Sequence, residues 1–348
     1  MKVYLTGAFE HYETHIGYGN AGNAVFNKLK EMGVDVHRKP LDDDTPYDCD
    51  IEISYNYPGW YKFYCDRSYK IGYSAWESTE FLPPSSELAK GNHWHDGGPD
   101  YVGVRGCDEL WATNNFVKKV YENHGVDKEI TVYNHGISPL WVPKKRSYSK
   151  EKPFTFLHIG DPASRKDAQM VVDVFTELYG DDERYKLILK CTNLTTTNRF
   201  NPITQDTYRN IEVWTQVFSE QQMIHLYNNA HAFVYPSWGE GFGFNSFQAI
   251  AMGLPTICTS AWADYKKYIT LPIRSQLSNN PWTDVHPGLM YKPDKEELKF
   301  AMKYIVSNYD ELSERAWKNS VNIHQEYDWD VLTKPIVQKL EKIYKTRL

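Results

Sequence analysis

Twice along the chain, strand-like apolar runs alternate with helical apolar stripes, and this double βαβ rhythm limits the fold more than any other feature. In the first series Val3 to Thr6 reads as a strand. Val25, Phe26, Leu29 and Met32 then fall at helical spacing from Asn20 onward, Gly33 closes that helix, and Val34-Asp35-Val36 opens the next strand. Further strands are predicted at Glu109 to Thr113 and at Thr131-Val132-Tyr133. The second series starts with the strand Phe154 to Ile159, ending at Gly160. A helical stripe of Met170, Val171, Val174, Phe175 and Leu178 follows, closed by Gly180. Strands come next at 185–190, 232–235 and 256–259, with a capping box at Ser219-Glu220-Gln221-Gln222 and a short helix from about Ser246 to Met252. Strands alternating with helices make parallel sheets covered on both faces.

Residues 138–153 carry three prolines and a cluster of charges, which reads as a linker between the two series. A chain of 348 residues exceeds what one core usually organises. The expected architecture is α/β, with two Rossmann-like doubly wound domains facing an interdomain cleft. Ligands of such sheets bind beyond the carboxyl ends of the strands. The stripe Val331, Leu332, Ile336, Leu340 and Ile343 predicts a closing helix that packs back on the body.

Composition removes several classes. With 41% apolar and 24% charged residues the chain is globular rather than disordered. The formal charge is -6 and the sole basic run is Lys144-Lys145-Arg146, which argues against nucleic acid as the main partner. Cys49, Cys65, Cys107, Cys191 and Cys258 form no CxxC pair and read as reduced thiols of a cytoplasmic protein. The N-terminal residues read as a strand rather than a signal peptide, and no segment has the length of a membrane span. Asn193-Leu194-Thr195 fits a glycosylation pattern by chance, and Asp42-Asp43-Asp44 reads as a solvated turn rather than a metal site.

The chemistry concentrates in Tyr235-Pro236-Ser237-Trp238-Gly239-Glu240-Gly241-Phe242-Gly243-Phe244-Asn245, between a strand end and a helix start. Glycines let backbone approach a ligand, and a helix N-terminus presents unpaired amides and a positive dipole end. A diphosphate suits that environment, and the Glu240 carboxylate can accept hydrogen bonds from sugar hydroxyls. The glycines alone would equally suit a tight turn.

These residues resemble the signature of the family 4 retaining glycosyltransferases, PS-x-x-E-G-F-G followed by E-A-x-A-x-G-x-P. Pro236, Ser237, Glu240, Gly241, Phe242, Gly243, Ala249, Ala251, Gly253 and Pro255 match. Residues 156–160 with Arg165-Lys166, 132–137, 16–20 and Gly72-Tyr73-Ser74-Ala75-Trp76-Glu77 resemble further family segments. The resemblance implies a GT-B fold with residues 1–145 as the acceptor-binding domain, 146–325 as the donor domain and 326–348 as the returning helix. It implies sugar transfer from a nucleoside diphosphate sugar, a UDP-sugar favoured, with retention, without metal and without a separate cofactor. Glu240 would contact the donor sugar, and Gly241, Phe242 and the amides of Gly243, Phe244 and Asn245 would surround the phosphates. Lys166 with Arg165, and more weakly Lys190, would neutralise the leaving diphosphate. Gly17, Gly19 and Gly160 would lie near the donor, and Trp76, Glu77 and His135 on the acceptor side, with Glu77 a candidate catalytic or acceptor-orienting group. His93 and His95 also fall in loops.

Two positions depart from the pattern. Gln248 stands for the family's second carboxylate, so the ribose would meet an uncharged amide. Asp161 stands for the basic residue after the strand-end glycine, which shifts the phosphate charge onto Arg165, Lys166 or Lys190. Three rival readings exist. Gly17-Tyr18-Gly19-Asn20-Ala21-Gly22 formally fits a nicotinamide fingerprint but comes about ten residues too late after the first strand. Gln248 suggests a non-catalytic sugar-nucleotide binder. The rings between Tyr55 and Trp76 suggest an acceptor that is a modified DNA base, beside glycan and protein acceptors.

Overall fold

A computed structural model describes the chain except residues 8–16, 40–44, 82–99, 161–163, 192–208, 284–285 and 348. Asp42 to Asp44, His93, His95, Asp161 and Asn193 therefore lie outside the described residues. The chain divides into two compact units. The first comprises Met1–Gly136, Thr283–Gly288 and Tyr327–Leu348, and the second comprises Ile137–Trp282 and Leu289–Glu326.

The first unit runs β1 (Lys2–Gly7), α1 (Gly17–Glu31), β2 (Asp35–Lys39), β3 (Ile51–Tyr55), β4 (Tyr69–Ser74), α2 (Asp100–Arg105), β5 (Glu109–Ala112), α3 (Asn115–Asn123) and β6 (Glu129–Val132). Its sheet has the order β2-β1-β3-β4-β5-β6 and is parallel throughout. Every residue of β3 and β5 is buried, as a parallel sheet covered on both faces requires. Helix α1 already includes Gly17 to Asn20, so the glycine pair expected in a loop forms the first helical turn. Gly33 follows it in the left-handed region at φ +83°, where a side chain would be strained.

The second unit runs β7 (Phe154–Ile159), α4 (Ala168–Tyr179), β8 (Tyr185–Lys190), β9 (Ile211–Trp214), α5 (Glu220–Asn228), β10 (Ala232–Tyr235), α6 (Phe244–Ala251), β11 (Thr256–Thr259), β12 (Leu271–Ile273), the antiparallel pair β13 (Ser275–Asn279) and β14 (Leu289–Pro293), then α7 (Lys295–Ser307) and α8 (Tyr309–Glu326). The parallel order is β12-β11-β10-β7-β8-β9. Connections reverse direction at the β7/β10 boundary, so the carboxyl ends of these two strands form the switch point where such sheets take ligands. Val171, Val174 and Phe175 of α4 pack with Phe154, Phe156 and Leu187 under Leu298, Met302 and Ile305 of α7. Helix α5 carries the predicted capping box, Ser219 and Gln222 exchanging both bonds.

The proline-rich segment read as a linker is tied into the second unit. Arg146 donates to the carbonyls of Tyr227 (3.0 Å), Asn228 (3.2 Å), Ala230 (3.1 Å) and Met252 (3.3 Å), the carboxyl ends of α5 and α6. Four acceptors for one guanidinium satisfy orphan helix carbonyls. The closing helix α9 (Trp329–Arg347) belongs to the first unit. Its Lys339 bridges buried Glu109 (2.9 Å) and Glu129 (2.7 Å), and its Asp330 pairs with Lys28 of α1 at 2.9 Å. Trp329 lies on Gly136 so closely that a Cβ there would stand 2.6 Å from the indole. No helix among the described residues is long and apolar enough to cross a membrane.

Candidate active site

The loop from β10 to α6 is fixed before any ligand arrives. Trp262 Nε1 donates to the Ser237 carbonyl at 3.0 Å, and the hydroxyl of Tyr265 donates to the Gly243 carbonyl at 2.7 Å. Gly243 caps α6 at φ +83°, which starts the helix at Phe244, two residues before the predicted Ser246. A Cβ on Gly243 would strike the Trp262 ring and stand 2.6 Å from Tyr265 Oη. Gly243→Ala is therefore expected to cost about 1–3 kcal/mol of stability through overpacking, read by denaturant unfolding. Asn245 Nδ2 donates to the Ile159 carbonyl at 2.9 Å, joining the start of α6 to the end of β7.

Glu240 sits at the centre of this loop and is buried. Its Oε1 accepts from Arg165 (2.8 Å), Lys166 (2.6 Å), the Tyr235 hydroxyl (2.7 Å) and the Ser237 hydroxyl (2.6 Å). Arg165 and Lys166 come from the short 3₁₀ turn Ser164–Lys166 that follows β7. Burial alone would raise the Glu240 carboxyl, but the two cations and the hydrogen bonds of Lys166 and Ser237 outweigh it and hold its pKa at about 2. Among the described residues the Glu240 carboxylate thus pairs with two buried cations at the switch point. Gly160 accommodates this arrangement, since a Cβ there would lie 3.3 Å from Lys166 Cγ. Arg165 also donates to the Gly239 carbonyl at 2.8 Å, and its guanidinium lies 5.4 Å from the centre of the Trp282 ring.

The structure brings Gly160, Arg165, Lys166, Glu240, Gly241, Phe242, Gly243, Phe244 and Asn245 together at the ends of β7 and β10. Gln248 lies on α6 and is half-buried. Lys190 ends β8 in register with Ile159, and its carbonyl accepts from Gly160 N at 3.1 Å. Tyr235 and Ser237 fall within the motif, but nothing in the sequence marks them as ligands of Glu240. Trp262 and Tyr265 had no signal at all, because a following loop delivers them.

In the first unit, Glu77 follows the end of β4, and its Oε2 lies 3.3 Å from Nε2 of His286. The Tyr18 hydroxyl, from the first turn of α1 between Gly17 and Gly19, donates to the Ala75 carbonyl beyond the same strand at 2.7 Å. His135 is 1% exposed, with the Tyr55 hydroxyl 3.0 Å from Nε2 and the Tyr73 hydroxyl 3.4 Å from Nδ1. It lies in the core. Burial lowers its pKa from 6.5 to about 3. The unfolded chain then takes up this proton first as pH falls, so the contribution is full above about 6.5 and is lost toward 3. Stability is expected to drop by about 2 kcal/mol between pH 7 and pH 5 from this group, and His135→Gln to flatten that slope in denaturant titrations.

Residues 113–334, more than half of the chain, match the family described as family 4 glycosyltransferase in conflict systems. The chain belongs to that family. No curated protein matches it at the sequence level. The fold of this glycosyltransferase is GT-B, shared with solved structures of low identity. The sucrose-phosphate synthase of Thermosynechococcus elongatus superposes with a TM-score of 0.69 at 13% identity, covering 99% of this chain and 100% of that one. HepE of Anabaena in complex with UDP-glucose gives 0.67 at 10% identity, covering 98% and 100%. WaaG, a glycosyltransferase involved in lipopolysaccharide biosynthesis, gives 0.65 at 13%, covering 96% and 98%.

Proposed function

We propose that this glycosyltransferase takes its sugar from a nucleoside diphosphate sugar, a UDP-sugar first among them, and transfers it with retention and without a metal ion. The observation that carries the reading is the Glu240–Arg165–Lys166 cluster at the switch point of the second unit. Its two cations suit a diphosphate, and compensating the leaving group's growing charge lowers the barrier of transfer. The first turn of α6 adds amides and the positive dipole end for the same phosphates. Among the described residues the four donors to Glu240 all bond Oε1, and Oε2 would accept from sugar hydroxyls. Gln248 would meet the ribose diol as a neutral amide. HepE, similar in fold, has been solved with UDP-glucose, which makes that donor the first to try. Retention follows from the family resemblance. Five free, buried cysteines fit a reducing compartment such as the cytoplasm.

The test is a thermal-shift panel of UDP, GDP, ADP, TDP, CDP and their common sugars. A ligand at a hundredfold excess over its Kd stabilises the folded state by about 2.7 kcal/mol. A shift with UDP or UDP-glucose supports the reading, and turnover that persists in EDTA supports the metal-free part. No shift with any nucleotide would reject the donor site. Saturable binding with no turnover would make the protein a binder, and an inverted anomeric product would reject retention.

A further inference from the structure

The loop between β13 and β14 leaves the second unit in one place: residues 283–288 belong to the first. There His286 is fully buried, with Nε2 3.3 Å from Oε2 of Glu77, whose side chain keeps 8% of its surface exposed. The His286 ring stands edge-on to Trp76, with centroids 4.9 Å apart and an interplanar angle of 82°. Trp76 is itself fully buried and donates from Nε1 to the Glu80 carbonyl at 2.9 Å. Gly288, at φ +77°, lies so close to the same segment that a Cβ would come within 2.8 Å of Glu80 Cβ and Thr79 Oγ1. Residues 286–288 are thus moulded onto residues 76–80, and the imidazole is held from two sides.

A carboxylate just beyond a parallel strand's carboxyl end is placed to meet a ligand. A glutamate has three side-chain torsions, however, and holds one geometry only when a fixed partner restrains it. We infer that His286 is the positioning residue for Glu77: held by Trp76 and by the close approach of Gly288, it fixes the carboxylate to hydrogen-bond a hydroxyl of the sugar acceptor. This rests on the reading of the protein as a transferase whose acceptor side includes Glu77. No sequence motif marks His286, because the loop that carries it is far from Glu77 in the chain.

The test uses the full chain with UDP-glucose, and water as the simplest hydroxyl acceptor. Glu77→Gln, His286→Leu, His286→Gln and the double variant Glu77→Gln/His286→Leu are compared by UDP release at saturating donor, by UDP affinity and by Tm. Misplacing a reacting group by about 1 Å costs on the order of 100-fold. His286→Leu is expected to lose kcat on that scale with UDP affinity unchanged. His286→Gln, which keeps a polar group against the carboxylate, recovers most of it. The double variant is no slower than the slower single variant. Wild-type kcat in His286→Leu, or losses that multiply in the double variant, would overturn the inference. So would equal losses in both His286 variants that track Tm alone. If the wild type neither binds UDP nor releases it from UDP-glucose, the parent reading fails instead. The pair is then judged by Tm, where strictly additive shifts would overturn it.

Discussion

Glu240→Gln is expected to lower the melting temperature of the second unit by roughly 6–20 °C and to abolish sugar transfer. The range follows from breaking a buried ion pair by removing one partner, about 3–5 kcal/mol, at roughly 2–4 °C per kcal/mol for a domain of this size. Glutamine keeps the shape and an acceptor oxygen for Tyr235 and Ser237, but it removes the carboxylate that pairs with buried Arg165 and Lys166. The effect carries a pH signature. The carboxyl is held at about 2, below its ordinary 4.5, so its stabilisation is complete above that ordinary value and is lost as pH falls toward 2. The gap between wild type and variant should hold from pH 8 to pH 5 and close below about 4.5. Scanning calorimetry across this range is the measurement. A gap independent of pH would mean that packing, not charge, holds the loop.

Lys190→Met should weaken UDP binding by about 10- to 100-fold while leaving Tm unchanged or higher. The two signs follow from one circumstance. Lys190 is 2% exposed, burial lowers its pKa, and its ammonium lies over the face of Phe218, 5.0 Å from the ring centre. Among the described residues no carboxylate pairs with it, whereas Arg165 and Lys166 are both engaged by Glu240. A buried cation without an anionic partner costs stability, which methionine relieves at similar volume. A diphosphate supplies the missing countercharge, and a charge-assisted hydrogen bond contributes about 1.5–3 kcal/mol. Titration calorimetry with UDP and with uridine separates the two parts, since only the diphosphate-dependent part should fall. Unchanged UDP affinity would place the phosphates away from β8.

Much of this protein is legible in the chain. Alternation of strand and helix patterns pointed to two parallel sheets, because burial on two faces demands continuous apolar runs such as 154–159, but it did not mark β3, β4, β9 or β12. The capping box at Ser219, the stop at Gly33 and the closing helix were equally visible, since caps and periodicity are local properties. The loop from Tyr235 to Asn245 stood out as the candidate site through glycines and one carboxylate before a helix.

The tertiary structure decided what those residues do to one another. Sequence spacing could nominate Arg165, Lys166 and Glu240, but only the adjacency of β7 and β10 makes them one buried cluster and leaves Lys190 outside it. The same holds for His135, which a loop position offered as a ligand contact and which packing turns into a core imidazole between two tyrosines. Segment 138–153, polar and proline-rich, reads as a linker until Arg146 is seen binding the carbonyl ends of two helices. His286 was invisible because contacts between distant segments leave no periodic trace. Local pattern determines which elements form, while strand order and loop delivery determine which charges meet, and the charges that meet set the chemistry.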